Sequence, residues 1–195
     1  MTKKENLLHE GTKIIHLKGY HNTGINEILD SARVPKGSFY FYFRNKEDFG
    51  LQLIDHMSTH FSSRADCHFH SSDKTYLSRL SDFFDEFLHY FKTHNCSLGC
   101  PIGNLSLEMS DINEPFRQKL AKVLESMKLS VSEFLTGAQR AQEISSTLDI
   151  NDVSDFIINS WEGALLRMKV TRDVTPLKLF KKTIFESILT NGLDQ

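Results

Sequence analysis

Residues 33–46 carry four cationic side chains and no acidic one, although the whole chain has a net charge of −2. The four cations are Arg33, Lys36, Arg44 and Lys46. Guanidinium and ammonium groups bind phosphate, and hydroxyl and aromatic side chains lie between them in the sequence. The stretch is therefore a candidate for contact with nucleic acid, and an acidic remainder of the chain does not exclude it.

Cys96 and Cys100 form a second set of residues that could carry chemistry, because they lie four positions apart beside Pro101. The proline predicts a helix start, and a helix N-terminus favours the thiolate form of a cysteine. We expect Cys100 either to sense oxidants and electrophiles or to be a small buried apolar group. A disulfide with Cys96 requires a junction that is not rigidly helical.

Metal binding and catalysis have weaker support in the sequence. His56 and His60 are one helical turn apart, but no acidic residues accompany them in a ligand pattern, so we expect no metal site. No carboxylate pair suits general acid–base work, and no Ser-His-Asp set or glycine-rich phosphate loop is recognisable. The sequence thus predicts neither an enzyme nor a bound cofactor.

The spacing of apolar residues, at intervals of three and four, predicts an all-α protein. No apolar run is long enough for a signal-peptide core or a membrane span, so we expect a cytoplasmic location and no membrane partner. A poorly patterned polar stretch lies near residues 62–72. The helices are expected over about residues 3–18, 25–31, 36–41, 73–93 and 115–141, with others starting near 46, 152 and 176.

The N-terminal helices are expected to form a helix-turn-helix. Ile25, Ile28 and Leu29 provide the inner face of the second helix, while Val34, Phe39 and Phe43 close a small core from the other side. A tight turn would set the third helix across a groove, where its polar side chains reach DNA.

The run from Val34 to Phe43, Val-Pro-Lys-Gly-Ser-Phe-Tyr-Phe-Tyr-Phe, is followed by Lys46-Glu47 and resembles the signature of the TetR family of bacterial repressors. The close resemblance covers about residues 7–55. It implies an N-terminal three-helix DNA-binding domain at 1–46 and a C-terminal helical domain for ligand binding and dimerisation at 47–195.

The resemblance also implies roles for single residues on and beside the third helix. Lys36, Ser38 and Tyr40 would face bases and phosphates, Tyr42 and Lys46 would grip the DNA backbone, and Gly37 would let the helix lie close to the groove. The family usually places a hydroxyl residue where this chain has Gly24, so we expect Thr23 to take the phosphate contact.

The C-terminal helices carry more aromatic side chains than one neighbouring helix needs, which favours a pocket for an apolar or aromatic ligand. Small residues near position 163 suit close packing between subunits, and the resemblance implies a four-helix bundle across a two-fold axis. The candidate ligand-binding residues are Phe84, Phe87, Phe91, Cys100, Met127 and Trp161.

These patterns together predict a homodimeric transcriptional repressor. A small hydrophobic or electrophilic inducer would release it from palindromic double-stranded operator DNA. Two alternatives remain at this point: a DNA-binding protein that responds to no ligand, and a thiol-dependent oxidoreductase using Cys96 and Cys100.

Overall fold

The computed structural model describes residues 1–70 and 73–190, and within these ranges it contains helices and no β-strand, as predicted. No helix in the described ranges is both long and apolar enough to cross a membrane. The helices in chain order are α1 (Lys3–Lys18), α2 (Ile25–Ala32), α3 (Lys36–Tyr42), α4 (Lys46–Phe69), α5 (Tyr76–Thr93), α6 (Pro101–Met109), α7 (Glu114–Arg140), α8 (Ile150–Thr171) and α9 (Thr175–Thr183), which continues as a π-helical segment over Ile184–Leu189.

Capping side chains fix where several helices begin. Thr2 and Glu5 form a reciprocal capping box at α1, with the two amides donating to the opposite side chains at 2.6 and 3.2 Å. The Asn45 side chain accepts from the Asp48 amide at 2.8 Å, which confirms the predicted N-cap of α4. Asp149 caps α8, so this helix begins two residues before its predicted start.

Helix α4 is longer than the sequence pattern indicates. The stretch 62–72, which is polar and poorly patterned in the sequence, is helical as far as Phe69, and its last two residues lie outside the described residues. The Phe69 ring stacks on Phe134 with centroids 4.2 Å apart, and His68 contacts the Glu86 carboxylate at 2.5 Å. These partners are remote in sequence, so local periodicity does not reveal the helix.

Packing divides the chain into two compact units. The first comprises Met1–Phe61 and Pro101–Val123, and the second comprises Ser62–Cys100 and the chain from Leu124 onward. The predicted division into 1–46 and 47–195 follows the expected roles of the segments rather than their packing, and it stays a prediction.

The core of the first unit is aromatic around α3. Phe39, Phe43 and Phe49 are at most 1% exposed, and their ring centroids lie 5.0, 5.1 and 5.6 Å apart. Burial of each such side chain contributes about 1.5–3 kcal/mol to stability. The predicted core positions Phe39 and Phe43 are therefore confirmed, and they fix the orientation of α3 about its axis.

In the second unit, α5, α8 and α9 meet around a cluster of three aromatic rings. Phe84, Trp161 and Phe180 lie with their ring centroids 5.0–5.2 Å apart, and all three are buried. Tilted and edge-to-face pairs of this kind add to the stabilisation that burial gives.

Candidate nucleic-acid interface and effector site

Helix α3 has a buried face and an exposed face. Phe39 is fully buried, whereas Tyr40 is 56% exposed and Phe41 81% exposed. The α3 residues predicted to contact DNA are all exposed or half-buried: Lys36, Gly37, Ser38, Tyr40 and Tyr42. Apart from its chain neighbours and the backbone of its own helix, no atom of the described residues lies within 4 Å of an ideal Cβ position at Gly37, so this turn of the helix is accessible to a groove.

Cations flank the exposed face of α3. Arg33 ends α2 in the left-handed conformation at φ 53°, and both Arg33 and Lys36 are exposed. Neither makes an ion pair within the part of the chain that the structure describes. Arg44 lies 3.5 Å from Asp48 and is 86% exposed. Unpaired or weakly paired cations at this surface can neutralise phosphates without breaking strong internal contacts.

Phe41 is an exposed residue that the sequence reasoning did not single out. Its ring contacts Tyr42 edge-on, with centroids 4.9 Å apart. Successive residues on a helix are about 100° apart, so Phe41 lies about 200° from Phe39 while Phe43 returns to the buried face. Helical spacing within the aromatic run was the signal that could have identified it.

Thr23 does not have the role predicted for it. The side chain is 1% exposed, and its hydroxyl donates to the Gly19 carbonyl at 2.7 Å. A hydroxyl buried in this turn cannot reach a phosphate, so the predicted contact is wrong. Gly24, the N-cap of α2, provides no side-chain acceptor either.

Lys46 is held by the turn that precedes α2. Its Nζ donates to the Tyr20 carbonyl at 2.7 Å and lies 4.4 Å from the centroid of the Tyr20 ring. Partial burial lowers the pKa of Lys46, and the Glu108 carboxylate opposes this effect. The ammonium therefore has a structural partner, and its predicted contact with the DNA backbone stays a prediction.

Glu108 on α6 is a second residue that sequence reasoning missed. Its Oε2 accepts from the Tyr20 amide at 2.8 Å and its Oε1 from the His21 amide at 2.7 Å. Partial burial works to raise the pKa of Glu108, but hydrogen bonds from these amides outweigh burial and hold it below its usual value. Glu108 is 88 residues from Tyr20 and 87 residues from His21 in the sequence, so no local sequence pattern indicates the contact.

Four of the six candidate ligand-binding residues, all of them aromatic, lie together in the second unit. Trp161 lies 5.1 Å from Phe84 and 5.9 Å from Phe87, and Phe87 lies 6.4 Å from Phe91, measured between ring centroids. The guanidinium of Arg64 lies 5.0 Å from the centroid of the Phe87 ring, a cation that the sequence reasoning did not place there. Met127, the fifth predicted residue, is buried in α7.

Cys100, the sixth, is half-buried directly before α6, which begins at Pro101 as predicted. Its thiol hydrogen bonds to Glu162 of α8. Burial raises the pKa of Glu162, against the opposing effect of this hydrogen bond. The Oε1 atom of Glu162 is buried and has no hydrogen-bond partner within the described residues.

The segment before Cys100 is a loop with an unusual backbone. Asn95, Cys96, Leu98 and Gly99 all have positive φ angles, of 54°, 49°, 71° and 72°. Such conformations cost non-glycine residues about 1 kcal/mol or more each. The junction is therefore not helical, which is the condition that a Cys96–Cys100 disulfide requires, and the pairing itself stays a prediction.

Helices α8 and α9 leave apolar side chains exposed. Phe156 is 49% exposed and Leu179 is 56% exposed, and both line a groove of about 250 Å³. Ser160, Gly163 and Ala164 also line this groove, and their predicted role in close packing between subunits stays a prediction. Contiguous exposed apolar surface of this kind is typical of an interface between proteins.

The chain is similar to known proteins along most of its length. A family model described as "Bacterial regulatory proteins, tetR family" matches residues 7–53, and one described as "Tetracyclin repressor-like, C-terminal domain" matches residues 77–184. The transcriptional regulator AcuR of Cereibacter sphaeroides is 37% identical over 95% of this chain and 85% of its own length. The HTH-type transcriptional repressor DhaR of a Mycobacterium species is 30% identical over 95% and 92%. A crystal structure of the reduced form of Escherichia coli NemR superposes with a TM-score of 0.89, at 27% identity, over 97% of this chain and 98% of that one.

Proposed function

Because the chain belongs to the TetR family of bacterial DNA-binding transcriptional regulators, we propose that it is a dimeric repressor that binds a palindromic operator through α3. A small molecule acting on the second unit lowers its affinity for that operator. The ligand needs only to prefer the DNA-incompetent state by a few kcal/mol to change operator occupancy by orders of magnitude.

The division of α3 into a buried and an exposed face carries this proposal. Phe39 anchors the helix in the core, while Lys36 and Tyr40 on the same helix extend into solvent. A short helix that is fixed by one face and presents a lysine and a tyrosine hydroxyl on the other suits insertion into the major groove. Arg33 and Arg44 beside it provide charge for the flanking phosphates.

Two features of the second unit support an effector of apolar or electrophilic character. The cluster formed by Phe84, Phe87, Phe91 and Trp161 suits an aromatic or aliphatic ligand. The Cys100 thiol stands at the N-terminus of α6, where an electrophile would form a covalent adduct at sulfur. A structure of the relative NemR is described as its reduced form, which favours a response to oxidation in this chain also.

The apolar surface of α8 and α9 supports the dimer. A second copy of the chain would cover Phe156 and Leu179 and close a bundle of four helices about a two-fold axis. Two α3 helices would then be presented at the spacing of adjacent half-sites, roughly 34–36 Å.

Selection of bound duplexes from a random DNA pool, followed by fluorescence anisotropy with the selected site, tests the proposal. We expect a palindromic site whose affinity falls steeply with salt concentration. Treatment with N-ethylmaleimide should release the wild-type protein and the Cys67→Ser control, since Cys67 is an exposed thiol on α4, but not the Cys100→Ser variant.

The possible results separate the parts of the proposal. Enrichment of no sequence from the pool would contradict operator binding. Equal release of wild type and Cys100→Ser would remove the thiol response. Binding that neither N-ethylmaleimide nor any compound in a thermal-shift screen alters would favour a regulator without an effector.

A further inference from the structure

We propose that Glu108 of α6 is a positioning residue for the DNA-binding head, holding the turn between α1 and α2 and, through Tyr20, the start of α4. The inference rests on the proposed function. It adds the residue contacts through which α6, which begins at Pro101 directly after Cys100, acts on the helix-turn-helix.

The carboxylate of Glu108 is used at both oxygens. The Tyr20 amide donates to Oε2 at 2.8 Å and the His21 amide to Oε1 at 2.7 Å, so the carboxylate bridges two consecutive peptide groups. Charge-assisted hydrogen bonds are about twice as strong as neutral ones, and the paired geometry fixes direction as well as distance. The His21 ring adds a third contact, with Nδ1 at 3.2 Å from Oε1.

The backbone at Gly19 is shaped for this approach. Gly19 ends α1 with φ at 86°, and a Cβ at this position would lie 3.0 Å from Glu108 Oε2. Glycine therefore meets two requirements at once, since it tolerates the positive φ and leaves room for the carboxylate. A side chain at position 19 would therefore strain the turn and crowd the Glu108 carboxylate.

Tyr20 connects Glu108 to Lys46 at the start of α4, directly after the helix-turn-helix. Its amide is held by Glu108, while its carbonyl accepts from Lys46 Nζ at 2.7 Å and its ring lies under the same ammonium. Lys46 is the first residue of α4, and α3 ends four residues before it. Glu108 of α6 therefore binds the amide of Tyr20, and Lys46 of α4 binds its carbonyl and its ring.

Displacement of α6 would consequently pull on the turn at Tyr20 and loosen the start of α4. These contacts join the turn just before α2 to the first residue of α4, and α2 and α3 lie between these two points in the sequence. A shift of the two points would therefore reorient α2 and α3 together. All of these contacts lie within the first compact unit.

Operator affinity of the full-length variant Glu108→Gln tests this inference. The amide nitrogen of glutamine cannot accept, so one of the two backbone donors loses its partner. We expect operator affinity to fall about tenfold, while the matched control Glu114→Gln changes it less than about twofold. Glu114 is a suitable control because it lies in the same unit and pairs with Arg117 of its own helix.

A double-mutant cycle distinguishes positioning from a general loss of stability. If Glu108 acts through Tyr20 and Lys46, Glu108→Gln should cost less than about threefold in a Lys46→Gln background and still about tenfold in a Lys36→Gln background. Equal costs in the two backgrounds would overturn the proposed path. Should Glu108→Gln fail to fold, Glu108→Asp keeps the charge but shortens the side chain, and the same pattern is expected.

The outcome also separates this inference from the proposed function. If the wild-type protein selects no duplex, operator binding itself fails. If the wild type binds and Glu108→Gln binds as tightly as Glu114→Gln, only the positioning role of Glu108 is contradicted.

Discussion

Single side chains around α3 divide into those that hold the helix and those that are available to DNA. Lys36 is exposed, makes no ion pair among the described residues, and stands at the first position of the helix. Lys46, by contrast, has a carbonyl and an aromatic ring as internal partners. Lys36 is therefore available to a phosphate, whereas Lys46 is held by contacts within the protein, and substitutions should distinguish the two.

Replacement of Lys36 by glutamine should weaken operator binding for every sequence and reduce the salt dependence of binding. Loss of one phosphate contact lowers the slope of log K against log salt by about 1. Fluorescence anisotropy at several salt concentrations measures this slope. Lys122→Gln, an exposed lysine of α7, is the control and should leave the slope unchanged; equal slopes for Lys36→Gln and wild type would contradict the phosphate contact.

Glu162 gives a prediction of pH dependence. Burial raises the pKa of Glu162 above its ordinary value of 4.5, so the folded protein favours the protonated carboxyl more than the unfolded chain does. The stability from this group is present below pH 4.5 and is lost as pH rises through the folded pKa. Urea unfolding from pH 4 to pH 8 should therefore show wild type losing stability relative to Glu162→Gln as pH rises, and a constant difference would contradict the raised pKa.

The exposed positions of α3 could be predicted from the sequence better than contacts between distant segments could. The basic and aromatic pattern is local, and Lys36 and Tyr40 are indeed exposed, while their contact with DNA stays a prediction. The role predicted for Thr23 was wrong because its side chain is buried in a turn, where the hydroxyl donates to the Gly19 carbonyl. Glu108 was missed because its partners come from a segment nearly ninety residues away, and only folding brings them together.

At the level of elements, α3 is a short helix that depends on its anchors. It has seven residues, and no side chain among the described residues caps its N-terminus. A helix of this length is marginal by itself in water, so burial of its apolar face must stabilise it. The aromatic contacts of Phe39 with Phe43 and Phe49 provide that burial.

Substitution of two phenylalanines on α3 tests this dependence. Phe39→Ala should lower the free energy of unfolding by about 3–5 kcal/mol, because it opens a cavity in a fully buried cluster. Phe41→Ala removes the same side chain from a position that is 81% exposed and should cost less than about 0.5 kcal/mol. Urea unfolding measures both, and similar costs would show that the two faces of α3 have been assigned incorrectly.

The helices themselves were mostly predictable, and their ends less so. Periodicity located α1, α5 and α7 because their apolar faces are long and regular. It did not reveal the second half of α4, where pairing of Arg64 and His68 with Glu86 replaces an apolar stripe. A polar helix face that is satisfied by a neighbouring helix has the same sequence pattern as a solvated loop.

At the scale of the whole molecule, recognition of a palindromic operator requires two copies of the chain. The exposed apolar residues of α8 and α9 form the surface that the dimer would cover, and operator binding by both heads depends on it. Family membership and the exposed patch both favour this assembly.

Introduction of a charge into that surface should separate the subunits. Leu179→Glu places a carboxylate where the partner would pack, and desolvation of an unpaired charge is costly. We expect a monomer by sedimentation equilibrium and at least a tenfold loss of operator affinity. Lys178→Glu, at the adjacent position and lining a different groove, should remain dimeric; a dimer of unchanged stability for Leu179→Glu would place the interface elsewhere.

Operator recognition by α3 can be tested by the distance between the two α3 helices in a crystal structure of the protein on its selected duplex. We expect one α3 in the major groove of each half-site, roughly 34–36 Å apart, with Lys36 and Tyr40 in contact with DNA. A complex in which α3 faces solvent, or in which Tyr40 and Lys36 make no contact with the duplex, would contradict it.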